Sequence, residues 1–107
     1  MKSLAERGQA FEAEFKRNQE LAFRVTARRN RLFGLWAAGR LGLPQGEAAE
    51  AYAKTVVAAD FKEPGDTDVI EKVHADLAGK DITVTEAELR AELARAGAEA
   101  RRQLSES

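Results

Sequence analysis

The sequence contains no cysteine and a single histidine, His74, among its 107 residues. Without cysteine there can be no disulfide, no thiolate nucleophile and no zinc–thiolate site, and one histidine cannot form a histidine cluster. No apolar run approaches the roughly 20 residues that a membrane-spanning helix needs, and the first residues, MKSLAERGQAF, lack the apolar segment of a signal peptide. We therefore expect a cytoplasmic protein without membrane insertion.

Charged residues make up 33% of the chain, and their distribution is uneven. Residues 16–40 contain seven basic residues and one acidic residue, whereas residues 41–92 contain five basic and twelve acidic residues. Two interpretations are open. The two regions face each other in the folded protein, or the basic stripe binds a polyanion.

Apolar residues recur at three- and four-residue steps, the period of an amphipathic helix, from about residue 20 to residue 43. The predicted inward face consists of Leu21, Val25, Leu32, Leu35, Trp36, Gly39 and Leu43. Gly42 and Pro44 then supply a stop signal.

Three further helices are predicted at about 47–61, 67–78 and 86–103, and no convincing strand is present. The second helix is rich in alanine, which favours helix and allows a neighbour to approach closely. A chain of this length forms one domain. The sequence thus predicts an all-α fold, a four-helix bundle over residues 20–107 with a flexible N-terminal arm over residues 1–19.

Start and stop signals support the third helix. Asp66, Thr67 and Asp68 can each cap it through a side-chain oxygen, and Asp68 has the capping-box spacing to Glu71. Gly79 is predicted to end it.

The fourth helix has the clearest start in the chain. Thr85 and Glu88 have the spacing of a capping box, and Val84 can pack on Leu89 as a hydrophobic staple.

The first nineteen residues differ from the rest in their sparse apolar content. Gly8 lowers helix propensity by about 1 kcal/mol relative to Ala. We expect this arm to be frayed when alone. Phe11 and Phe15 lie one turn apart, the spacing of anchors on a helix that docks in a groove, although the same rings could also extend the bundle core.

Catalytic or metal-binding groups are not evident. The acidic residues between Asp60 and Asp68 lack the ligand spacing of a calcium loop, and His74 has no nucleophile partner. The glycines follow neither the Walker nor the dinucleotide spacing. We therefore predict no enzyme, no metal site and no required cofactor.

The arginines at 28, 29 and 31 are the remaining candidates for a binding site. Arg28 falls on the apolar face of the first helix, and a buried guanidinium must be paired. One possible partner is an acidic residue of the turn from Glu63 to Asp68. The alternative is a ligand, since Arg28, Arg29 and Arg31 together could bind a phosphate or a carboxylate of a partner protein.

Two long segments, ARRNRLFGLWAA and AEAYAKTVVAADFKEPGDTDVIEKV, closely resemble the zeta subunit family, small regulators of F-type ATP synthases in alpha-proteobacteria. AERGQAFEAEF near the start and TEAELRAEL near the end extend the likeness over nearly the whole chain. The resemblance implies a non-catalytic protein that binds the catalytic head of the membrane-bound synthase and inhibits its ATP hydrolysis. It also implies an ADP or ATP site on the bundle.

By the same resemblance, the arm enters the interface between the alpha, beta and gamma subunits. The matching arm residues here are Leu4, Glu6, Arg7, Ala10, Phe11, Glu12 and Phe15. The chain departs from the family at Gly8-Gln9, where charged helix formers are usual. Because Gly8 raises the cost of ordering the arm, we expect weaker inhibition than in strong inhibitors.

The rival hypothesis is a helical module that binds nucleic acid through the basic stripe of the first helix, or a scaffold that uses the same surface. The sequence pI of about 5.9 and the absence of interleaved aromatic residues disfavour nucleic-acid binding.

Overall fold

The computed structural model describes the backbone of residues 4–60 and 65–106 and the side chains of residues 16–60 and 65–105. Four helices occupy these residues, α1 (Leu4–Arg40), α2 (Glu47–Ala59), α3 (Thr67–Ala78) and α4 (Glu86–Glu106). No strand occurs in the described ranges. The predicted all-α four-helix architecture is confirmed, and the predicted helices match α2, α3 and α4 to within three residues at each end.

The first helix is longer than the sequence pattern indicated. It begins at Leu4 rather than near residue 20, so the predicted boundary between arm and bundle falls inside one continuous helix. No proline interrupts the chain before Pro44, and Gly8 is the only glycine before Gly34. The flexibility of residues 1–19 stays a prediction.

The predicted stop of α1 is confirmed in detail. Gly42 has a φ of 81°, the left-handed conformation that glycine adopts without strain. The Leu43 amide donates to the Ala38 carbonyl at 2.9 Å, and the Gly42 amide donates to the Gly39 carbonyl at 3.1 Å. This pair of bonds is a Schellman motif, and it satisfies carbonyls that the helix end leaves free.

The core of the bundle lies where α1 meets its two main neighbours, α2 and α4. Phe33 and Ala37 of α1 are fully buried, as are Val56 of α2, Val73 of α3 and Leu89 of α4. These residues belong to one continuous cluster of buried apolar side chains. A single core therefore supports the whole bundle, as expected for one domain.

The buried face of α1 differs from the predicted one. Phe33, which the pattern analysis omitted, is at the centre, whereas Leu32 and Trp36 are only partly buried and pack at its edge. Gly39 and Leu21 are exposed. The buried arc is shifted because α2 and α4 cover α1 from two sides, and helical period alone does not show where the neighbours pack.

A glycine sets the separation of α1 and α2. A Cβ on Gly34 would lie 2.8 Å from the Ala53 Cα, closer than real side chains come. Ala38 and Ala49, both buried, continue this interface of small residues. The prediction that small side chains allow a close neighbour to α2 is confirmed.

α3 ends at Gly79 as predicted, but its start lacks the predicted side-chain cap. Asp66 is the N-cap residue, but no side-chain oxygen caps the helix, and Asp68 lies within it. Predicted side-chain capping is therefore wrong. At the other end Gly79 is the C-cap with a helical φ of −63°, and the left-handed residue is Asp81, with a φ of 60°. The Ile82 amide then donates to the Leu77 carbonyl at 2.9 Å, which closes the turn.

The start of α4 is as predicted. The Glu88 amide donates to the Thr85 hydroxyl, and the Thr85 amide donates to the Glu88 carboxylate, both at 3.1 Å. Val84 and Leu89 are both buried in the core cluster, which fits the predicted staple.

Candidate functional site

The predicted arm residues belong to the first part of α1. Their side chains, those of Leu4, Glu6, Arg7, Ala10, Phe11, Glu12 and Phe15, lie outside the side chains that the structure describes. The backbone there is helical and continuous with the bundle. Their assignment to a partner interface stays a prediction.

The three candidate arginines of α1 contact three different helices. Arg28 donates from Nη1 to the Gln103 side-chain oxygen of α4 at 2.8 Å. Arg29 Nη1 lies 2.9 Å from the Asp66 carboxylate at the start of α3. Arg31 forms a two-pronged pair with Glu50 of α2, with Nε 3.1 Å from Oε2. Rather than forming one grip, the three guanidinium groups tie α1 to each of its neighbours.

These partners decide two questions that the sequence left open. The predicted partner of Arg28 in the acidic turn was wrong, because Gln103 is its partner and Asp66 of that turn pairs with Arg29. Glu63, the other end of the predicted turn, lies outside the described residues. The pairs of Arg29 with Asp66 and of Arg31 with Glu50 join the basic segment to the acidic region. The first interpretation of the charge asymmetry is thus confirmed at these pairs.

Arg29 is largely enclosed. Its side chain is only 17% exposed, and its Nε donates to the side-chain oxygen of the buried Asn30 at 3.0 Å. The aliphatic stem passes over Gly97 of α4, where a Cβ would lie 3.4 Å from the Arg29 Cδ. Gly97 therefore leaves room for the stem to cross α4 on its way to Asp66.

A small cavity of about 200 Å³ adjoins this contact. It is lined by the guanidinium-bearing side chains of Arg29, Arg90 and Arg101, together with Asp66 and Gly97. Arg90 also pairs with Glu86 at 2.9 Å, whereas Arg101 has no ion pair among the described residues. Asp66 and Glu86 balance the charges of Arg29 and Arg90, so Arg101 leaves one excess positive charge at the cavity, which favours an anion. The volume suits a phosphate group rather than a whole nucleotide.

Sequence reasoning missed the α4 side of this cavity. Arg90 and Arg101 are eleven residues apart, which is close to three helical turns, so they share one face of α4. Leu93 and Gly97 lie between them on the same face. This spacing was available in the sequence, but the proximity of the two residues to Arg29 depends on how α4 packs against α1.

A second polar cluster joins α2 to α3. The Tyr52 hydroxyl and the Lys72 ammonium both donate to Asp76 Oδ2, at 2.8 Å and 3.0 Å. Lys72 also lies over the Tyr52 ring, 5.5 Å from its centroid. Burial, and then the hydrogen bond to Asp76, raise the pKa of Tyr52 above its ordinary value. The cluster ties α2 to α3.

The remaining chemistry of the described residues is sparse. His74 is exposed on α3. Within the described ranges, no set of His, Asp and Glu side chains is arranged to hold a metal ion. No helix there is both long enough and apolar enough to span a membrane.

Among the described residues, the longest exposed stretch of helix is α1 from residue 16 to residue 24. Every residue in this range is exposed, and Leu21 and Phe23 are 50% and 62% exposed. An open groove of about 440 Å³ runs between this segment and the end of α4, lined by Leu21, Ala22, Val25 and Arg101 among others. The segment extends past the packed bundle and leads into the arm.

Comparison with known proteins covers nearly the entire chain. A family model described as ATPase inhibitor subunit zeta matches residues 1–103. A protein whose structure was solved in solution by NMR is 49% identical, with a TM-score of 0.69 over 78% of this chain and 94% of that chain. No curated protein matches.

Proposed function

The chain belongs to the ATPase inhibitor subunit zeta family, and on that premise we propose that it binds the catalytic head of the F-type ATP synthase and blocks ATP hydrolysis with its N-terminal arm. The arm enters the interface of the alpha, beta and gamma subunits, on the cytoplasmic side of the membrane. The family match over residues 1–103 carries the proposal, because it includes both the arm and the bundle.

The shape of α1 supports this division of roles. A 37-residue helix is about 55 Å long, and its last turns are held in the bundle by Phe33 and Ala37. The exposed turns at 16–24 connect that anchored end to the arm. A long helix whose C-terminal turns are held in a bundle can present its N-terminal turns to a cleft in a partner.

The mechanism requires no catalytic group in this chain. Phe11 and Phe15, one turn apart in sequence, would anchor the arm by burying their rings between the synthase subunits. The interface must open and close during ATP hydrolysis. A helix bound in the interface prevents this movement and so blocks hydrolysis. The chain then acts as a regulatory subunit rather than as an enzyme.

Nucleotide binding is the second part of the proposal. Of the three arginines nominated from the sequence, Arg29 lines the anion-favouring cavity, and Arg28 and Arg31 are paired on other sides of α1. We propose that a phosphate group of ADP or ATP occupies the cavity between Arg29, Arg90 and Arg101. Backbone amide shifts on titration with ADP should then centre on Gly97, and Arg101→Gln should weaken them. Shifts confined to α2 would overturn this site.

Deletion of residues 1–18 tests the inhibitory role. We expect the truncated chain to keep the helical content of the bundle, as measured by circular dichroism, and to lose inhibition of ATP hydrolysis by the purified synthase head. A Phe11→Ala/Phe15→Ala variant of the full chain should lose most of the inhibition without a change in length. Unchanged inhibition by the truncated chain would contradict the arm mechanism.

A further inference from the structure

Arg90 of α4 lies between two cavities of the bundle. The first, about 200 Å³ in volume and bordered by Arg29, Arg90 and Arg101, is the proposed site of the nucleotide phosphate, and we call it the phosphate cavity. The second, about 260 Å³, lies between α3 and α4, and we call it the α3–α4 cavity. It is lined by Thr67, Ile70, Glu71, His74, Glu86 and Arg90. A ligand in the phosphate cavity therefore acts on a side chain that also borders the α3–α4 cavity.

Glu86 is the partner of Arg90 within the bundle. The Arg90 Nε and Nη2 atoms each lie 2.9 Å from Glu86 Oε1. The two side chains are 49% and 68% exposed, so water screens the pair and little free energy is lost when it opens. A phosphate group carries at least as much negative charge as one carboxylate and attracts the same guanidinium. A phosphate group in the phosphate cavity thus competes with Glu86 for Arg90.

The single histidine of the chain, His74, borders the α3–α4 cavity on the side of α3. The charged groups that share this cavity with it are Glu71 of α3 and Glu86 and Arg90 of α4. His74 also lines a neighbouring cavity of about 240 Å³, where Asp81 of the α3–α4 connection faces it. Of the described residues, none from α1 or α2 lines either cavity. Arg90 is therefore the one positive charge set against three carboxylates around the imidazole ring.

The position of Arg90 determines how strongly these carboxylates attract a proton to His74. Histidine is the side chain whose charge ordinarily changes between about pH 5 and pH 8. While Arg90 is bonded to Glu86, its charge offsets part of the negative potential at the ring. When Arg90 turns towards a phosphate group, Glu86 loses its partner and the carboxylates favour the protonated ring. The imidazolium then replaces Arg90 as the cation beside Glu86.

We propose that Arg90 couples the binding of a nucleotide phosphate to the protonation of His74, so that the protein binds ADP or ATP more tightly as the pH falls from about 8 to about 6. This inference rests on the proposed nucleotide site. By linkage, protonation of His74 strengthens phosphate binding by the same factor by which the bound phosphate strengthens protonation. We expect a factor of about three, because His74, Glu86 and Arg90 are all exposed and water screens their charges.

His74→Gln in the full chain tests the coupling. Glutamine is a good helix former and the position is exposed, so circular dichroism should show the wild-type helical content. The Kd values for ADP and for sulfate are measured from the backbone amide shift of Gly97 at pH 8 and pH 6. Sulfate keeps both negative charges over this range, whereas a terminal phosphate gains a proton near pH 6. For each ligand, the wild type and the variant should bind equally at pH 8, and the wild type should bind about threefold more tightly at pH 6.

Glu86→Gln tests the part played by Arg90. With Glu86 neutral, Arg90 is free to turn towards the phosphate cavity, so the variant should bind sulfate more tightly than the wild type at pH 8 and should lose most of the dependence on pH. Glu92→Gln is the matched control, because it breaks a similar pair with Arg95 on the same helix, and neither residue lines the two cavities. Its Kd values should equal those of the wild type at both pH values.

The ring protons of His74 give a second readout, which a merely structural role of the residue would not change. Their NMR signals are unambiguous because the chain has one histidine. Addition of sulfate should move the titration of the ring to higher pH in the wild type. In Glu86→Gln the same addition should leave the titration nearly where it was.

The outcomes separate this inference from the site on which it rests. If neither ADP nor sulfate shifts the Gly97 amide, the phosphate cavity and the coupling both fail, whereas inhibition by the arm is measured independently. If ADP shifts Gly97 and His74→Gln shows the same dependence on pH as the wild type, the coupling alone is wrong. A His74 titration that sulfate leaves unchanged in the wild type would also overturn the coupling and leave the site intact.

Discussion

Arg29 of α1 pairs with Asp66 at the start of α3 across a gap left open by Gly97 of α4, with Nη1 and Oδ1 2.9 Å apart. The Arg29 side chain therefore reaches α3 through its guanidinium group and passes α4 with its aliphatic stem. The same carboxylate that local sequence predicts as a helix cap is used for a tertiary contact instead.

Replacing Asp66 by Asn should destabilise the bundle by about 1–2 kcal/mol, because the enclosed guanidinium of Arg29 loses its charge partner. The Asp66 side chain is itself partly exposed, so water limits the loss. Urea unfolding followed by circular dichroism measures the effect. Glu86→Gln, which breaks the more exposed pair with Arg90, is the control and should cost less than about 0.5 kcal/mol. Equal effects of the two variants would contradict the tie.

Gly34→Ala and Gly97→Ala should have opposite effects on stability. At Gly34 the new Cβ would meet the Ala53 backbone at 2.8 Å, so α1 and α2 must separate, and we expect a loss of about 1–3 kcal/mol. At Gly97 the nearest atom is the flexible stem of Arg29 at 3.4 Å, and alanine favours helix by about 1 kcal/mol. Gly97→Ala should therefore be neutral or stabilising. Thermal unfolding of the two variants gives the comparison directly. A Gly34→Ala variant as stable as the wild type would show that α1 and α2 are not in such close contact.

Thr85→Ala should destabilise the protein by about 1 kcal/mol, because the Glu88 amide loses the hydroxyl that caps α4. Thr55 provides a matched control. Its hydroxyl bonds the Tyr52 carbonyl at 2.6 Å within α2 and caps no helix end. Thr55→Ala should be neutral or slightly stabilising in the same unfolding assay. A Thr85→Ala variant as stable as the wild type would show that the capping box contributes little.

Acid should loosen the contact between the end of α4 and α1. The hydrogen bond from Arg102, followed by the one from Gln103, lowers the pKa of Glu99 from 4.5 to about 2. A depressed carboxyl pKa contributes stability that is present above the unfolded value and is lost as the pH falls from about 4.5 towards 2. Gln103 donates to Glu99 at 3.1 Å and accepts from Arg28 at 2.8 Å, so protonation of Glu99 weakens a chain that reaches α1.

The Glu99 carboxyl carbon, followed by NMR over this pH range, reports the titration. Arg102→Ala should move the midpoint upward, towards the ordinary value for glutamate. Gln103→Ala should have the smaller effect. A wild-type midpoint near 4.5 would contradict the proposed bonds.

Local signals predicted the helices well and the contacts between them poorly. The Thr85–Glu88 box and the turn at Gly42 were found from sequence because their partners lie within a few residues. Phe33 was missed as the centre of the core, and Gln103 was not among the partners considered for Arg28. Both errors concern which helix packs on which side of α1. The helical period shows which residues share a face of α1, but it does not show which neighbouring helix covers that face.

The sequence by itself determined the all-α class, the ends of most helices and, through two long segments, the family. These depend on residues close together in the chain, since caps, turns and periodic apolar positions act over one or two helical turns. Only the tertiary structure decided that Arg28, Arg29 and Arg31 serve three separate helices, that Gly34 and Gly97 make room for specific contacts, and that Leu21 and Phe23 remain uncovered. Those outcomes depend on how α2, α3 and α4 pack around α1, because a side chain's partner is fixed by distance in space rather than by distance along the chain.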